Sequence, residues 1–565
     1  MAHKKHWNGI EDLELSSEKL QVEENEFKEE LPVLEMDEGF LNKATPRRDF
    51  LKYVGFSTLA ATIAASCEMP VRKAIPFAIK PENVLPGVPY YYASTFVDNG
   101  DYASVLVKTR DGRPIMVEGN NSSSITKGGS SARSIASTLS LYDKTRLRSP
   151  QVEGKGVDTF NKVDQPIKEA IENANGSIYI ITNTIMSPTT QLVIDGFIEK
   201  YPNVKHVQYD PVSYSGILQA NENTFGKRAI PSYHFDKAKT IFSIGADFLG
   251  TWLSPIEFSA GYAKNRKVSI KNPVMSKHYQ VEGMLSMTGA NADDRATCRP
   301  SEYGKVAAAL YDAITSGTNP SFASENLNIL IKNAAADLKS GNGLVVSGSN
   351  DIATQTIVNA INDAIGAYGN TINWAVSSNY KKGIDSEFRQ FVNDAKNGGV
   401  GVALFYNVNP VYDYKTEDLS EVFGKIKTII SFSDRYDETS KLANYIVPDH
   451  HWLEKWGDAE PKTGYYSFIQ PTIPPLFKTR AFEDSLLTWM GESDDYHTIW
   501  NKYWSNKIGG QSAFDAALQE GVFEPKNMSF EAGSFNGDVS SALQAVNRKS
   551  DSEYEVIVYE KVSIG

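Results

Sequence analysis

Thiols are nearly absent from this chain: Cys67 and Cys298 are its only two cysteines. That excludes a disulfide framework, and with no Cys-x-x-Cys pair the chain has nothing with which to hold an iron–sulfur cluster or a structural zinc. Cys298, in the run Asp294-Arg-Ala-Thr-Cys-Arg-Pro300, reads as a small buried residue rather than a nucleophile. Histidine is scarce as well, with eight in all, and the one adjacent pair is His450-His451. Adjacent side chains diverge on a helix and on a strand alike, which is poor metal-ligand geometry. Basic charge is in deficit, with 57 Lys and Arg against 69 Asp and Glu, a net charge of −12 and a pI near 5.4. Phosphate binding needs clustered Lys and Arg, so nucleic acid is excluded as a partner. There is no GxGxxG and no P-loop lysine.

What the chain does have begins near its start. Arg47 and Arg48 lie in Thr45-Pro-Arg-Arg-Asp-Phe-Leu-Lys52, followed by the apolar stretch Tyr53 to Ser66 and then Cys67. The pattern, with Phe50 and Leu51 after the arginines, reads as a twin-arginine export signal, a route taken by proteins already folded. The apolar stretch is about 14 residues, within the range of a signal h-region and short of the roughly 20 that span a bilayer as a helix. Small residues at Ala64, Ala65 and Ser66 suit cleavage before Cys67, which would then carry a covalent lipid. One acyl-type anchor holds only weakly, at about 0.8 kcal/mol per buried CH₂, so firm attachment also needs more chains or a membrane partner. Residues 1–46 are acidic (Glu11-Asp-Leu-Glu14, Glu23-Glu24, Glu29-Glu30, Asp37-Glu38) where a signal normally opens with a basic segment. They read either as a solvated tail that buries too little to fold, or as an extended targeting prefix whose Trp7 and Ile10 to Leu13 are held by a maturation factor.

Beyond the signal, Val71 to Tyr92 is proline-rich (Pro76, Pro81, Pro86, Pro89) and reads as an extended strap. Ser104–Thr109 and Pro114–Glu118 flank Arg110-Asp-Gly-Arg113, where Asp-Gly predicts a hairpin turn in a small β region. From about residue 163 strands alternate with helices. The predicted strands are Ser177–Thr182, Lys205–Tyr209, Thr240–Ile244, Gly343–Ser347, Val402–Tyr406 and Thr428–Phe432, and helices are predicted over Ser187–Tyr201 and about Ala353–Ala367. This alternation implies parallel sheets covered on both faces, in two units interleaved along the chain. Ligands of such sheets sit beyond the carboxyl ends of the strands, which here read Gly245-Ala-Asp247, Ser347-Gly-Ser349, Asn407-Val-Asn-Pro410 and Ser433-Asp434.

Several segments, in order, carry a resemblance: Arg113-Pro-Ile-Met-Val-Glu-Gly-Asn120, Lys127-Gly-Gly129, Ser140-Leu-Tyr-Asp-Lys-Thr-Arg-Leu147 with Pro150, and Ile241 to Asp247. They continue through Ala292-Asp293 to Arg299-Pro300, Asn409-Pro410, Asp437 to Ala443, Val447-Pro448, Leu453-Glu454 and Gly457. Over roughly residues 95 to 500 the chain resembles the molybdopterin oxidoreductases of the dimethyl-sulfoxide-reductase superfamily. The resemblance implies an α/β fold of interleaved, doubly wound parallel sheets with a small N-terminal β region. Catalytic members of that superfamily usually carry four cysteines near the start for a [4Fe–4S] cluster, and the corresponding region here, around Tyr90 to Tyr102, has none. No equivalent of their Cys, selenocysteine, Ser or Asp metal ligand is identifiable, so no catalytic, cofactor-binding or metal-binding residue is assigned. The strand-like run Glu553 to Tyr559 comes just before Gly565.

With its signal and acidic prefix (His6-Trp-Asn-Gly-Ile-Glu-Asp-Leu13), the chain is similar to the cofactor-less half of the large iron–sulfur subunit of bacterial alternative complex III, a quinol:cytochrome c oxidoreductase. That similarity implies a prefix over 1–46, a signal and lipobox-like cysteine over 47–67, and a strap and vestigial iron–sulfur domain over 68–150. It further implies molybdopterin-oxidoreductase-like domains over 151–510 and a segment over 511–565 leading to a downstream ferredoxin-like half. It implies no cofactor in this stretch, with iron–sulfur clusters in the downstream half. The implied partners are multihaem cytochrome c subunits, a quinol-oxidising membrane subunit and that ferredoxin-like half, at the periplasmic face of the cytoplasmic membrane. Large side chains or loops are expected to fill the place of the pterins. Two other readings compete: an active molybdopterin-dependent oxidoreductase with a Ser or Asp ligand, and an exported ligand-binding lipoprotein. Mass spectrometry of the exported protein is expected to find a lipid-modified N-terminus at Cys67; a mature chain starting elsewhere excludes the lipid anchor.

Overall fold

The computed structural model describes residues 87–271, 273–547 and 553–560. Arg47, Arg48, Phe50, Leu51 and Cys67, the acidic prefix and the proline-rich stretch up to residue 86 lie outside them. Among the described residues no helix is long and apolar enough to cross a membrane.

Two parallel sheets form the frame. The larger has seven strands in the order Lys155–Gly156, Gln151–Val152, Tyr445–Ile446, Thr428–Ser431, Val400–Tyr406, Ser177–Thr182 and Val204–Gln208. From Tyr445 onward its neighbours are parallel. Val400–Tyr406 is buried at every residue, as a central strand covered on both faces must be. Side chains alternate between those faces. Ile178, Ile180, Val402 and Leu404 pack with Phe197, Trp489 and Trp500, while Tyr179, Ile181, Ala403 and Phe405 pack with Phe388, Phe391 and Phe423.

The second sheet, ordered Asp294–Thr297, Lys277–Glu282, Thr240–Ile244 and Gly343–Ser347, is parallel throughout. It occupies the chain between Gln208 and Val400, so the interleaving expected from the strand pattern is present. Helices Tyr303–Thr315, Glu325–Leu338 and Ile352–Ala364 cover one face. Phe235, Phe248 and Trp252 cover the other.

Two features depart from the sequence reading. A five-stranded antiparallel sheet, ordered Val522–Phe523, Tyr465–Ile469, Gly457–Lys462, Ile372–Ser378 and Ile230–Tyr233, draws its strands from widely separated stretches. Gly457–Lys462 has almost no apolar residues to announce it, because its buried Asp458 is held by Ser187, Thr189 and Trp504 instead. And Tyr90–Tyr92, expected to end a strap, pair with Val107–Thr109 at the start of a three-stranded antiparallel sheet made of Tyr90–Asp98, Asp101–Arg110 and Arg113–Gly119. The predicted turn in that sheet has positive φ at both Asp111 (49°) and Gly112 (73°), as a type I′ hairpin requires.

Burial leaves three imidazoles without room for charge. His206, His278 and His451 are each pushed down to about 4, chiefly by desolvation. A lowered histidine contributes stability that is complete above its unfolded value of about 6.5 and lost as pH falls through the folded one. Urea unfolding is therefore expected to weaken between pH 6.5 and 4, with a slope approaching about 4 kcal/mol per pH unit where all three take up protons. His278→Gln should reduce that slope by about one proton.

Candidate functional site

Side chains at the strand ends were the natural candidates for ligand contacts, and the structure shows what each of them holds. Asp247 follows Thr240–Ile244, and its Oδ1 accepts from the Thr288 amide at 2.9 Å and hydroxyl at 2.7 Å. Ser347 Oγ donates to the Ile244 carbonyl at 3.3 Å, and Gly348 lies so close to Gly245 that a Cβ there would sit 2.3 Å from its carbonyl oxygen. Asn409 Oδ1 accepts from the Thr439 amide (3.0 Å) and hydroxyl (2.7 Å), while its amide donates to Glu438 at 2.8 Å. Asp293 takes both nitrogens of the Arg266 fork, at 2.8 and 2.6 Å. Asn120 donates to the Glu520 carbonyl at 2.8 Å, tying the small sheet to the helix Gln511–Glu520.

The strongest clamp joins Arg146 to Glu454. Nη2 donates to Oε2 at 2.7 Å and Nη1 to Oε1 at 3.2 Å, and both side chains are fully buried. Burial alone would raise the Glu454 carboxyl, but Arg146 and the amides of Leu476 and His451 hold it below its ordinary value. His450 and His451 point to separate partners, Thr479 at 2.6 Å and Ser140 at 2.9 Å. Among the described residues no three His, Cys, Asp or Glu side chains are grouped to hold a metal ion. Cys298 is half-buried, and burial, with Glu302 and Glu555 nearby, pushes its thiol up to about 12.

A charged cleft lies where the strand ends face the small sheet. The hairpin turn Asp98-Asn-Gly-Asp101 closes over Lys381, whose Nζ donates to the Asn99 carbonyl at 3.0 Å and lies 3.8 Å from Asp210. Asp210 in turn accepts from Thr184 Oγ1 (2.8 Å) and the Gly383 amide (2.9 Å). Desolvation and the neighbouring Asp101 push the Asp98 carboxyl up to about 6, against the pull of Arg133 and Arg435. Tyr214 is raised mainly by burial, and its hydroxyl oxygen accepts from the Leu253 amide at 3.3 Å. None of these cleft residues was singled out from sequence. Asn99-Gly100 did carry a legible signal, the dipeptide most typical of a tight hairpin, and both residues have positive φ (49° and 87°).

Glu560 pairs with Arg133, and Arg435 is engaged by Asp434 at 2.8 Å, so the cleft's guanidiniums already have anionic partners.

The chain is similar in fold to acetylene hydratase from Pelobacter acetylenicus, with a TM-score of 0.54 and 11% identity over 77% of this chain and 74% of that one. In sequence it is 22% identical over 444 residues to the menaquinone reductase, molybdopterin-binding-like subunit of Nitratidesulfovibrio vulgaris. That match takes in 69% of this chain and 63% of the relative's length. No protein-family model matches.

Removing one member of the buried pair strands a charge, so Arg146→Ala is expected to cost about 3–5 kcal/mol in urea unfolding. Arg146→Met with Glu454→Leu should recover most of it, because a buried pair often gains little over apolar residues of similar size. A single variant as stable as the parent would show that the pair clamps nothing.

Proposed function

We propose that this chain is a non-catalytic structural subunit of a membrane-associated, quinone-linked electron-transfer complex. The observation that carries the reading is the engagement of the strand-end side chains with one another: Asp247 with Thr288, Asn409 with Thr439, Arg146 with Glu454. Side chains committed to loops in this way stabilise a framework and leave no set of polar groups converging on a substrate. The similarity to a subunit named for menaquinone reductase supports the link to quinones.

In its finer form the proposal is that the complex is alternative complex III, passing electrons from quinol to cytochrome c or a similar carrier. This chain would then dock multihaem cytochrome c subunits, the quinol-oxidising membrane subunit and a ferredoxin-like half holding the iron–sulfur clusters. It would be exported through Arg47 and Arg48 and held at the periplasmic face of the cytoplasmic membrane by lipid on Cys67. No electron carrier would be bound by this stretch itself.

Isolation of the native assembly through a tag on this chain tests the reading. The expected result is co-purification of haem-containing and integral membrane subunits, quinone-dependent electron transfer by the assembly, and only trace molybdenum and tungsten by elemental analysis. Stoichiometric molybdenum or tungsten would instead establish an active molybdopterin enzyme. Recovery of the chain alone would remove the subunit reading.

A further inference from the structure

The run Glu553 to Tyr559 was expected as a strand, yet among the described residues it pairs with no other strand, and its alternation of exposed and half-buried side chains holds from Tyr554 to Val558 and breaks at the exposed Tyr559. Its inward row makes a different set of contacts. Glu555 accepts from the Ser301 amide at 3.0 Å and from the Ser301 hydroxyl at 2.5 Å. Ser301 lies in the turn Pro300–Glu302 that leads into the helix Tyr303–Thr315, just past the last strand of the four-stranded sheet. Free amides at such a helix start favour an anion, and here the chain supplies its own. The Ser301 hydrogen bonds hold the Glu555 carboxyl below its ordinary value. Arg299 Nη2 adds a contact to the Glu553 carbonyl at 3.4 Å.

Further along, Ile557 sits against Gly283, the residue after the strand Lys277–Glu282. A Cβ at Gly283 would lie 2.8 Å from Ile557 Cδ1 and 3.3 Å from Pro300, so a glycine is what leaves room for the isoleucine. The segment reaches Arg133 through Glu560. Glu555, Ile557 and Glu560 are thus half-buried, whereas Tyr554, Val556 and Val558 are 81%, 87% and 92% exposed. From Glu555 to Glu560 an extended chain covers about 17 Å. Its contacts at Ser301 and Gly283 lie past the neighbouring strands Asp294–Thr297 and Lys277–Glu282 of the four-stranded sheet.

We propose that residues 553–560 are a built-in strap that closes the strand-end crevice of the four-stranded sheet, with Glu555 occupying the anion position at Ser301, Ile557 filling the space over Gly283, and Glu560 latching onto Arg133. The strap withholds from outside ligands the place where a doubly wound sheet would receive a nucleotide. Closure does not depend on which assembly the chain joins.

Cys298 reports on the strap, since it lies three residues before Ser301, which Glu555 engages, and its carbonyl oxygen borders Gly283, against which Ile557 sits. In a Cys67→Ala background, the rate of maleimide labelling at Cys298 is measured in the folded protein at one pH, with circular dichroism checking the fold. Glu555→Ala is expected to speed labelling more than about tenfold, through loss of both hydrogen bonds to Ser301 and of a carboxylate that keeps the nearby thiol protonated, so Ile557→Ala, which changes no charge, decides whether the strap has opened. Ile557→Ala should act in the same direction, and the outward-facing Val556→Ser should leave the rate unchanged. Hydrogen exchange at the Ser301 amide should rise in Glu555→Ala and stay at the parent level in Val556→Ser. Equal labelling in Ile557→Ala and the parent, equal exchange in Glu555→Ala and the parent, or an equal rise in Val556→Ser, would overturn the strap.

Discussion

A single buried ion pair fixes how the front of this molecule meets its body. Arg146 ends the segment after the helix Ala132–Leu141, and Glu454 lies just ahead of the strand Gly457–Lys462, far away in sequence. Taking both charges out of water is costly, and only the parallel, two-bond fork and the extra amides from Leu476 and His451 offset it. Arg146 also donates to the Leu141 carbonyl at 3.0 Å, so the same guanidinium closes the end of its own helix. The remaining Nε faces Asp434 at 3.5 Å, too far for a hydrogen bond. The strand-end loops, the small sheet and the cleft between them all inherit their positions from this junction.

The parallel frame was legible because its strands are uniformly apolar. Ser177–Thr182, Thr240–Ile244 and Gly343–Ser347 fall where the sequence predicts them, and the predicted helices lose only a residue or a few at their ends. Lys277–Glu282 was missed for the opposite reason. Its inward residues His278, Gln280 and Glu282 are polar, and each is buried. His278 and Glu282 are satisfied by Tyr262, Arg295 and Ser286, partners that only the folded chain brings together, and Gln280 bonds to His278 and Glu282 on either side of it. Pattern reading assigns polar residues to the surface and has no means of seeing such a network.

The motif residues were legible in position and misleading in role. In a ligand-binding fold, small and polar strand ends are the expected address of a site, and here those same residues bind neighbouring loops. Asp247 and Asn409 are engaged so completely that freeing them for a ligand would strand Thr288 and Thr439. Asp98, Lys381 and Glu560 escaped notice because they belong to three separate stretches, and nothing local links them.

The interleaved topology has a consequence for how the protein is made. In the seven-stranded sheet Ser177–Thr182 takes Val400–Tyr406 as its parallel neighbour, with about 220 residues of chain between them, so the partner strand leaves the ribosome long after the first. Until then Ser177–Thr182, apolar from Ile178 to Ile181, has one edge unpaired, the kind of surface that seeds misassembly. Synthesis must therefore pass through a prolonged stage in which the largest sheet is open. A holding chaperone that shields that edge would be as much a condition of reaching the native state as any contact within it.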